Sequence, residues 1–91
     1  MSDFVEKDIL IINKLGIHAR PAAMLVQLAS KFRSDIYVLK DSVEVNCKSI
    51  MGIMTLAANC GSKIKVKAEG KDASQAVEAI ADLFKSKFGE E

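Results

Sequence analysis

The stretch Lys63-Ile64-Lys65-Val66-Lys67-Ala68-Glu69 alternates polar and apolar side chains without a break. Successive side chains of a β-strand point to opposite faces, so this alternation predicts a strand with one apolar and one charged face. Such a strand belongs to a sheet that is covered on one side and solvated on the other. The rest of the chain is therefore expected to supply neighbouring strands and a cover for the apolar face.

Three segments upstream predict the other strands. Residues 4–12 are rich in Ile and Val and form a run too short and too β-branched to favour a helix. The run is then broken by Asn13-Lys14-Leu15-Gly16. Residues 35–39 and Val43-Glu44-Val45-Asn46 flank the turn Lys40-Asp41-Ser42, so we expect them to pair as the two arms of a hairpin.

Three segments carry the spacing of a helix. The first runs from residue 19 to residue 32 and is expected to end near Arg33-Ser34; its apolar stripe consists of Ala22, Leu25, Val26, Ala29 and Phe32. The second follows Ser49, a good N-cap residue, and contains Ile50, Met51, Ile53, Met54 and Leu56. The third follows Asp72, whose spacing to Gln75 resembles a capping box, and ends at Gly89. It is expected to bury Ala73, Ala76, Val77, Ile80, Ala81, Phe84 and Phe88.

The predicted order is β-α-β-β-α-β-α within a single domain, residues 1–91. Three of the four strands have a polar face, which indicates an α+β fold with helices on one side of the sheet and solvent on the other. The first β-α-β unit requires a right-handed crossover, and we expect another strand to be inserted between its two strands.

Composition excludes several classes of protein. The chain has 13 basic and 12 acidic residues and a net charge of +1, too balanced for a protein whose main task is to bind nucleic acid. No apolar run reaches the length of a membrane span and the first residues lack a signal-peptide pattern, so a cytoplasmic protein is expected. Cys47 and Cys60 are too few for a disulfide framework or a zinc site, and we expect neither a metal nor a cofactor.

The candidate site is Gly16-Ile17-His18-Ala19-Arg20-Pro21, which holds the only histidine and the only proline of the chain. It lies between the end of a predicted strand and the start of a predicted helix. The N-terminus of a helix has unpaired N–H donors and the positive end of the helix dipole, and both can bind a phosphate. Arg20 adds a cation that can bind phosphate oxygens with two donors. Pro21 is tolerated in the first helical turn, and Gly16 permits a loop conformation closed to other residues.

These features together predict a histidine that accepts a phosphoryl group. Because positions two apart do not share a helix face, His18 is expected to lie just outside the helix while the Arg20 side chain folds back towards it. No second acid or base lies next to His18 in the sequence, which suits a carrier that uses its partners' catalytic groups better than a complete enzyme.

The stretch Gly16-Ile17-His18-Ala19-Arg20-Pro21-Ala22 resembles the active-site signature of HPr, the histidine-containing phosphocarrier family of the phosphoenolpyruvate:sugar phosphotransferase system. A second block, Lys48-Ser49-Ile50-Met51-Gly52-Ile53-Met54, resembles the regulatory-serine segment of that family. The similarity extends over essentially the whole chain. It implies an open-faced β-sandwich, in which a four-stranded antiparallel sheet is covered on one face by three helices.

The resemblance also implies a relay. Enzyme I would phosphorylate His18 on Nδ1, Arg20 would bind the phosphate, and the group would pass to the IIA domain of a sugar permease. The expected docking surface consists of Ala19, Lys48, Ile50, Met51 and Met54, although one of the two methionines is expected to fill the core. Lys14, Lys48 and Arg20 would steer an acidic partner towards the site. A monomer is expected.

Ser49 carries two interpretations. As an N-cap it stabilises the second helix. By resemblance it is also a regulatory site that an HPr kinase/phosphorylase phosphorylates at the expense of ATP, and the modified protein could bind a transcriptional regulator. A phosphate there would be favoured by the helix end and would repel an acidic enzyme I.

Two alternatives remain open. The chain could be a nitrogen-type paralogue that feeds a regulatory cascade, although the Ser49-Ile50-Met51-Gly52 block favours the sugar type. It could also be a regulatory or ligand-binding α/β domain in which His18 only packs, but this leaves Gly16, Arg20 and Pro21 unexplained as a set.

Overall fold

The computed structural model describes residues 3–90, and its sheet has four strands. They are β1 (Asp3–Leu10), β2 (Asp35–Lys40), β3 (Val43–Asn46) and β4 (Lys63–Gly70). The helices are α1 (Ala19–Ala29), α2 (Ile50–Thr55) and α3 (Ala73–Lys85), followed by a short turn, Lys87–Gly89. The predicted element order and the open-faced α+β fold are confirmed.

The sheet order is β1-β4-β2-β3, and each pair of neighbours is antiparallel. Strand β4 pairs with β1 through Ile9 and Ile64 and with β2 through Val38 and Val66. Strands β1 and β2 are therefore parallel and are separated by β4, as expected for an inserted strand. The alternating stretch thus forms a central strand, which is why its pattern is the most regular in the chain.

The two faces of β4 differ as its sequence predicts. Ile64, Val66 and Ala68 are buried against the helical layer. On the other face, Nζ of Lys65 lies 3.5 Å from a carboxylate oxygen of Glu6 on β1, and Nζ of Lys67 lies 2.6 Å from one of Glu44 on β3. The outer face of the sheet therefore carries cross-strand ion pairs in place of a second layer.

Several predicted boundaries are wrong. Strand β1 ends at Leu10 instead of residue 12, although Gly61 still donates to the carbonyl of Ile11. Helix α1 ends at Ala29 instead of near Arg33-Ser34, because the N–H groups of Lys31 and Phe32 bond three residues back and tighten the chain into a turn.

Helix α3 also differs at both ends. The predicted capping box is wrong: Asp72 is the N-cap residue, but its carboxylate accepts hydrogen bonds from the N–H groups of Arg33 and Ser34. The helix ends at Lys85 instead of Gly89. Phe88 nevertheless belongs to the core as predicted, because the following turn packs its ring edge-to-face on Phe84 with 4.9 Å between centroids.

Candidate functional site

The loop before α1 is fixed against the segment that follows α2. Gly16 has φ of +66°, and a β-carbon there would lie 2.5 Å from the carbonyl oxygen of Ala58. The Ile17 N–H donates to that same carbonyl at 2.9 Å. The buried Asn13 side chain donates from Nδ2 to the Gly16 carbonyl at 2.6 Å. Glycine is required here for close approach as well as for backbone conformation.

His18 is the N-cap residue of α1, with extended backbone angles of φ −104° and ψ −168°. Its side chain makes no capping hydrogen bond, and the first bond of the helix runs from the Ala22 N–H to the His18 carbonyl. The N–H groups of Ala19 and Arg20 therefore have no acceptor within the helix, and Pro21 has no N–H to satisfy. As predicted, the imidazole lies just outside a helix end with free donors.

Arg20 folds back towards His18, and one carboxylate joins the two side chains. Oε2 of Glu90 lies 3.1 Å from Nε2 of His18 and 3.1 Å from Nη2 of Arg20. Nη1 of Arg20 donates to the carbonyl of Phe88 at 2.9 Å, so the guanidinium is held from two sides. The arrangement brings a cation and an imidazole to one carboxylate, at the helix end whose first N–H groups have no acceptor within the helix.

The sequence did not identify Glu90 or Asn13 as site residues. Glu90 lies 72 positions after His18 in the chain, so no local sequence pattern could indicate their contact. Asn13 was identified only as a residue that ends the first strand, yet its Nδ2 also lies 3.5 Å from Oε2 of Glu90. Burial raises the pKa of the Glu90 carboxyl, but hydrogen bonds from His18 and Asn13, together with nearby positive charge that includes Arg20, outweigh it, and the pKa lies below its ordinary value.

Four of the five predicted docking residues lie on α2 or at the start of α1, and Lys48 precedes the N-cap residue of α2. Ala19 is exposed, and Ile50, Met51 and Met54 have exposed fractions of 48%, 80% and 42%. The expectation that one methionine fills the core is wrong, because Ile53 and Leu56 take the buried positions of this short helix. Leu15, 69% exposed in the loop before His18, is a further apolar side chain that the sequence did not single out.

Lys48 and Ser49 have structural partners. Nζ of Lys48 donates a hydrogen bond to the carbonyl of Phe32 at 2.8 Å. This bond holds the ammonium group against the turn after α1. Oγ of Ser49 accepts a hydrogen bond from the N–H of Gly52 at 3.1 Å, which confirms the predicted N-cap of α2.

Neither cysteine belongs to this group of residues. Burial raises the pKa of the Cys47 thiol to about 12, and the charge of Lys48 offsets this only in part, whereas Cys60 is exposed in a turn. Within residues 3–90, no three His, Cys, Asp or Glu side chains form a group suited to a metal ion. In the same part of the chain, no helix has the length and apolarity needed to cross a bilayer.

Comparison with known proteins places this geometry in context. A family model described as "PTS HPr component phosphorylation site" matches residues 5–86. The "Phosphocarrier protein HPr" of Treponema pallidum is 49% identical over 87 residues, which cover 96% of this chain and 99% of that protein.

Solved structures agree in fold. An HPr crystal structure from Thermoanaerobacter tengcongensis superimposes with a TM-score of 0.93 at 56% identity, covering 96% of this chain and 98% of that one. A second structure from the same organism, described as an HPr dimer, has a TM-score of 0.78 at 57% identity and covers 90% and 94% of the two chains. The expectation of a monomer stays a prediction.

Proposed function

The chain belongs to the HPr family of the phosphotransferase system, and from this premise we propose that it carries a phosphoryl group on His18. It accepts the group from phosphorylated enzyme I and passes it to the IIA domains of sugar permeases. In this role it is a carrier that is itself modified, acting in the cytoplasm, and the catalytic groups of its partners complete each transfer. The observation that carries the proposal is the half-exposed imidazole beside Arg20 and two free N–H groups.

The chemistry needs a nucleophilic ring nitrogen and a place for negative charge. In each transfer the ring lone pair attacks phosphorus, and the bond from phosphorus to the donor breaks with its electron pair. Nε2 of His18 is engaged by Glu90, so Nδ1 is the nitrogen we assign to the attack. The free N–H groups of Ala19 and Arg20, together with the Arg20 guanidinium, are fixed donors for the phosphoryl oxygens.

Docking is assigned to the apolar surface beside the histidine. Ile50, Met51 and Met54 on α2 are joined in this proposal by Leu15, which the structure leaves exposed in the neighbouring loop. Methionine side chains adapt to different surfaces, which suits a carrier that meets several partners in turn. The exposed Lys14 and Arg20 supply positive charge for steering, with a smaller contribution from Lys48.

Ser49 is proposed as the regulatory position. Its Oγ is half-buried at the N-terminus of α2, where the helix end favours a phosphate. The dianion would stand next to Ile50 and Met51, in the middle of the proposed docking surface. Phosphorylation of Ser49 by an ATP-dependent kinase would therefore weaken docking by charge and desolvation without touching His18.

The test of the carrier role is intact mass after incubation with phosphoenolpyruvate, Mg²⁺ and an enzyme I. One added phosphoryl group that brief acid removes, and that is absent from His18→Ala, is expected. Arg20→Ala should lower the rate of phosphorylation by roughly 10- to 100-fold, the loss expected for a charge-assisted hydrogen bond. Arg33→Ala, which removes an exposed guanidinium elsewhere, should leave the rate unchanged.

Two results would contradict the carrier role: no mass gain with enzyme I from several bacteria, or a gain that persists in His18→Ala. A separate incubation with ATP and an HPr kinase addresses Ser49. An acid-stable phosphoryl group that Ser49→Ala abolishes supports regulation. Its absence would count against the regulatory proposal alone.

A further inference from the structure

Building on the proposed phosphocarrier role, we propose that Glu90 is a positioning residue for His18. Its carboxylate keeps the proton of the neutral imidazole on Nε2 and thereby leaves the nucleophilic lone pair on Nδ1. The fold of the last described residues is what places this carboxylate against the ring.

In the contact between Glu90 and His18, the imidazole is the hydrogen-bond donor and the carboxylate is the acceptor. Oε2 of Glu90 and Nε2 of His18 are 3.1 Å apart. The pKa of the Glu90 carboxyl is lowered overall, so the group is ionised at neutral pH and can only accept. In the neutral form of the ring, the hydrogen must then reside on Nε2, which leaves the lone pair on Nδ1.

The surroundings strengthen this contact. The Glu90 side chain is only 13% exposed, compared with 38% for His18, so the carboxylate is better shielded from water than the ring that it orients. Its other neighbours are donors: Nη2 of Arg20 at 3.1 Å and Nδ2 of the buried Asn13 at 3.5 Å. All of these contacts favour a charged acceptor at this point.

The backbone shows that the placement of Glu90 belongs to the fold. Lys87, Phe88 and Gly89 have φ of +57°, +55° and +76° in succession, a conformation that side-chain-bearing residues rarely adopt. The fully buried Phe88 ring anchors this turn, and the Glu90 N–H donates to the Lys87 carbonyl at 2.9 Å. The turn thereby directs the chain back so that Glu90 contacts His18, which lies 72 positions earlier in the sequence.

The proposed role has a consequence for each transfer. When Nδ1 attacks, its lone pair forms the P–N bond, and the bond from phosphorus to the donor breaks with its electron pair. The proton remains on Nε2, so the phosphorylated ring carries a positive charge that the Glu90 carboxylate stabilises. Passing the phosphoryl group to an acceptor returns the lone pair to Nδ1, and Glu90 restores the same tautomer for the next cycle.

The test measures the tautomer directly on the unphosphorylated chain by ¹⁵N NMR of the imidazole, at about pH 8.5, where an imidazole is neutral. Glu90→Leu removes the acceptor, and the ratio of Nε2–H to Nδ1–H tautomer is expected to fall about tenfold. Glu90→Gln keeps a carbonyl acceptor without the charge and should give an intermediate ratio. Glu78→Gln, which neutralises an exposed carboxylate on α3, should match the parent.

Phosphorylation of the same variants supplies a second readout. ³¹P–¹⁵N correlation is expected to place the group on Nδ1 in the parent and partly on Nε2 in Glu90→Leu. Unchanged tautomer ratios in both Glu90 variants would overturn the role of Glu90, even if His18 is phosphorylated normally. A ratio that shifts as expected in a chain that no enzyme I phosphorylates would instead overturn the carrier function.

Discussion

Gly16 is the residue on which the shape of the His18 loop depends most directly. Replacing it by alanine forces a positive φ on a side-chain-bearing residue and pushes a β-carbon against the backbone of Ala58 and Asn59. Strain and overpacking together should lower the free energy of unfolding by about 2–4 kcal/mol. Urea unfolding of Gly16→Ala measures this loss.

Gly61 provides the matched control for Gly16→Ala. It also has a positive φ, +92°, but a β-carbon there would meet no atom within 4 Å. Gly61→Ala should therefore cost only the conformational part, roughly 1 kcal/mol. Equal losses in the two variants would show that packing of the loop against residues 58 and 59 adds nothing.

At this scale the sequence predicts residues whose role is local. His18, Arg20, Pro21 and the need for glycine at position 16 all follow from the junction of a strand with a helix. Glu90 could not be predicted, because its contact with His18 is a tertiary contact. It depends on the turn at Lys87–Gly89, which brings the last described residues next to the start of α1.

In helix α2, Ser49 is both the N-cap residue and the proposed regulatory phosphorylation site. Substitutions at Ser49 can separate its effect on stability from its effect on docking. Ser49→Ala removes the N-cap acceptor for Gly52 and should lower the free energy of unfolding by about 1 kcal/mol. Ser49→Asp supplies a new acceptor and a favourable charge at the helix end, so its stability should be close to that of the parent.

Phosphorylation by enzyme I should respond to these Ser49 variants in the opposite order. Ser49→Ala is expected to accept the phosphoryl group at the parental rate, whereas Ser49→Asp is expected to be slower because an anion stands within the docking surface. Chemical denaturation and initial rates of the mass gain measure the two properties. A Ser49→Asp variant that is phosphorylated as fast as the parent would remove the electrostatic explanation of regulation.

The elements themselves were predictable because each has a clear periodicity. The strict alternation in β4 and the apolar stripe of α3 are confirmed residue by residue, and so is the cap at Ser49. The error at the start of α3 arose because a tertiary contact competes with a local pattern. Asp72 has the spacing of a capping box, but two backbone donors from the turn after α1 take its carboxylate instead.

At the scale of the whole molecule, Asp72 connects two segments that are distant in the sequence. Its carboxylate accepts from the Ser34 hydroxyl and from the N–H groups of Arg33 and Ser34, which ties the α1–β2 turn to the start of α3. Gly70 lies so close that a β-carbon there would be 2.8 Å from Cα of Ser34. The connection made by Asp72 spans nearly forty positions of the chain.

This connection makes stability depend on pH in the acid range. The hydrogen bond from the Ser34 hydroxyl, and then that from the Arg33 N–H, hold the pKa of Asp72 below its ordinary value. The pKa of Glu90 is lowered as well. In the unfolded chain both carboxyls bind protons near pH 4, so between that value and their lower folded pKa values the unfolded state holds more protons. Their contribution to stability is complete above that range and is lost as the pH falls through the folded pKa values.

The free energy of unfolding should therefore fall between about pH 6.5 and about pH 3.5, and the fall should be smaller in Asp72→Asn than in the parent. Urea denaturation at the two pH values gives both numbers. Asp82→Asn is the control, since Asp82 is an exposed aspartate of the same helix. Because the readout is a difference between two pH values, any loss common to both cancels. If Asp72→Asn and Asp82→Asn show the same fall as the parent, the link between the α1–β2 turn and α3 does not depend on the charge of Asp72.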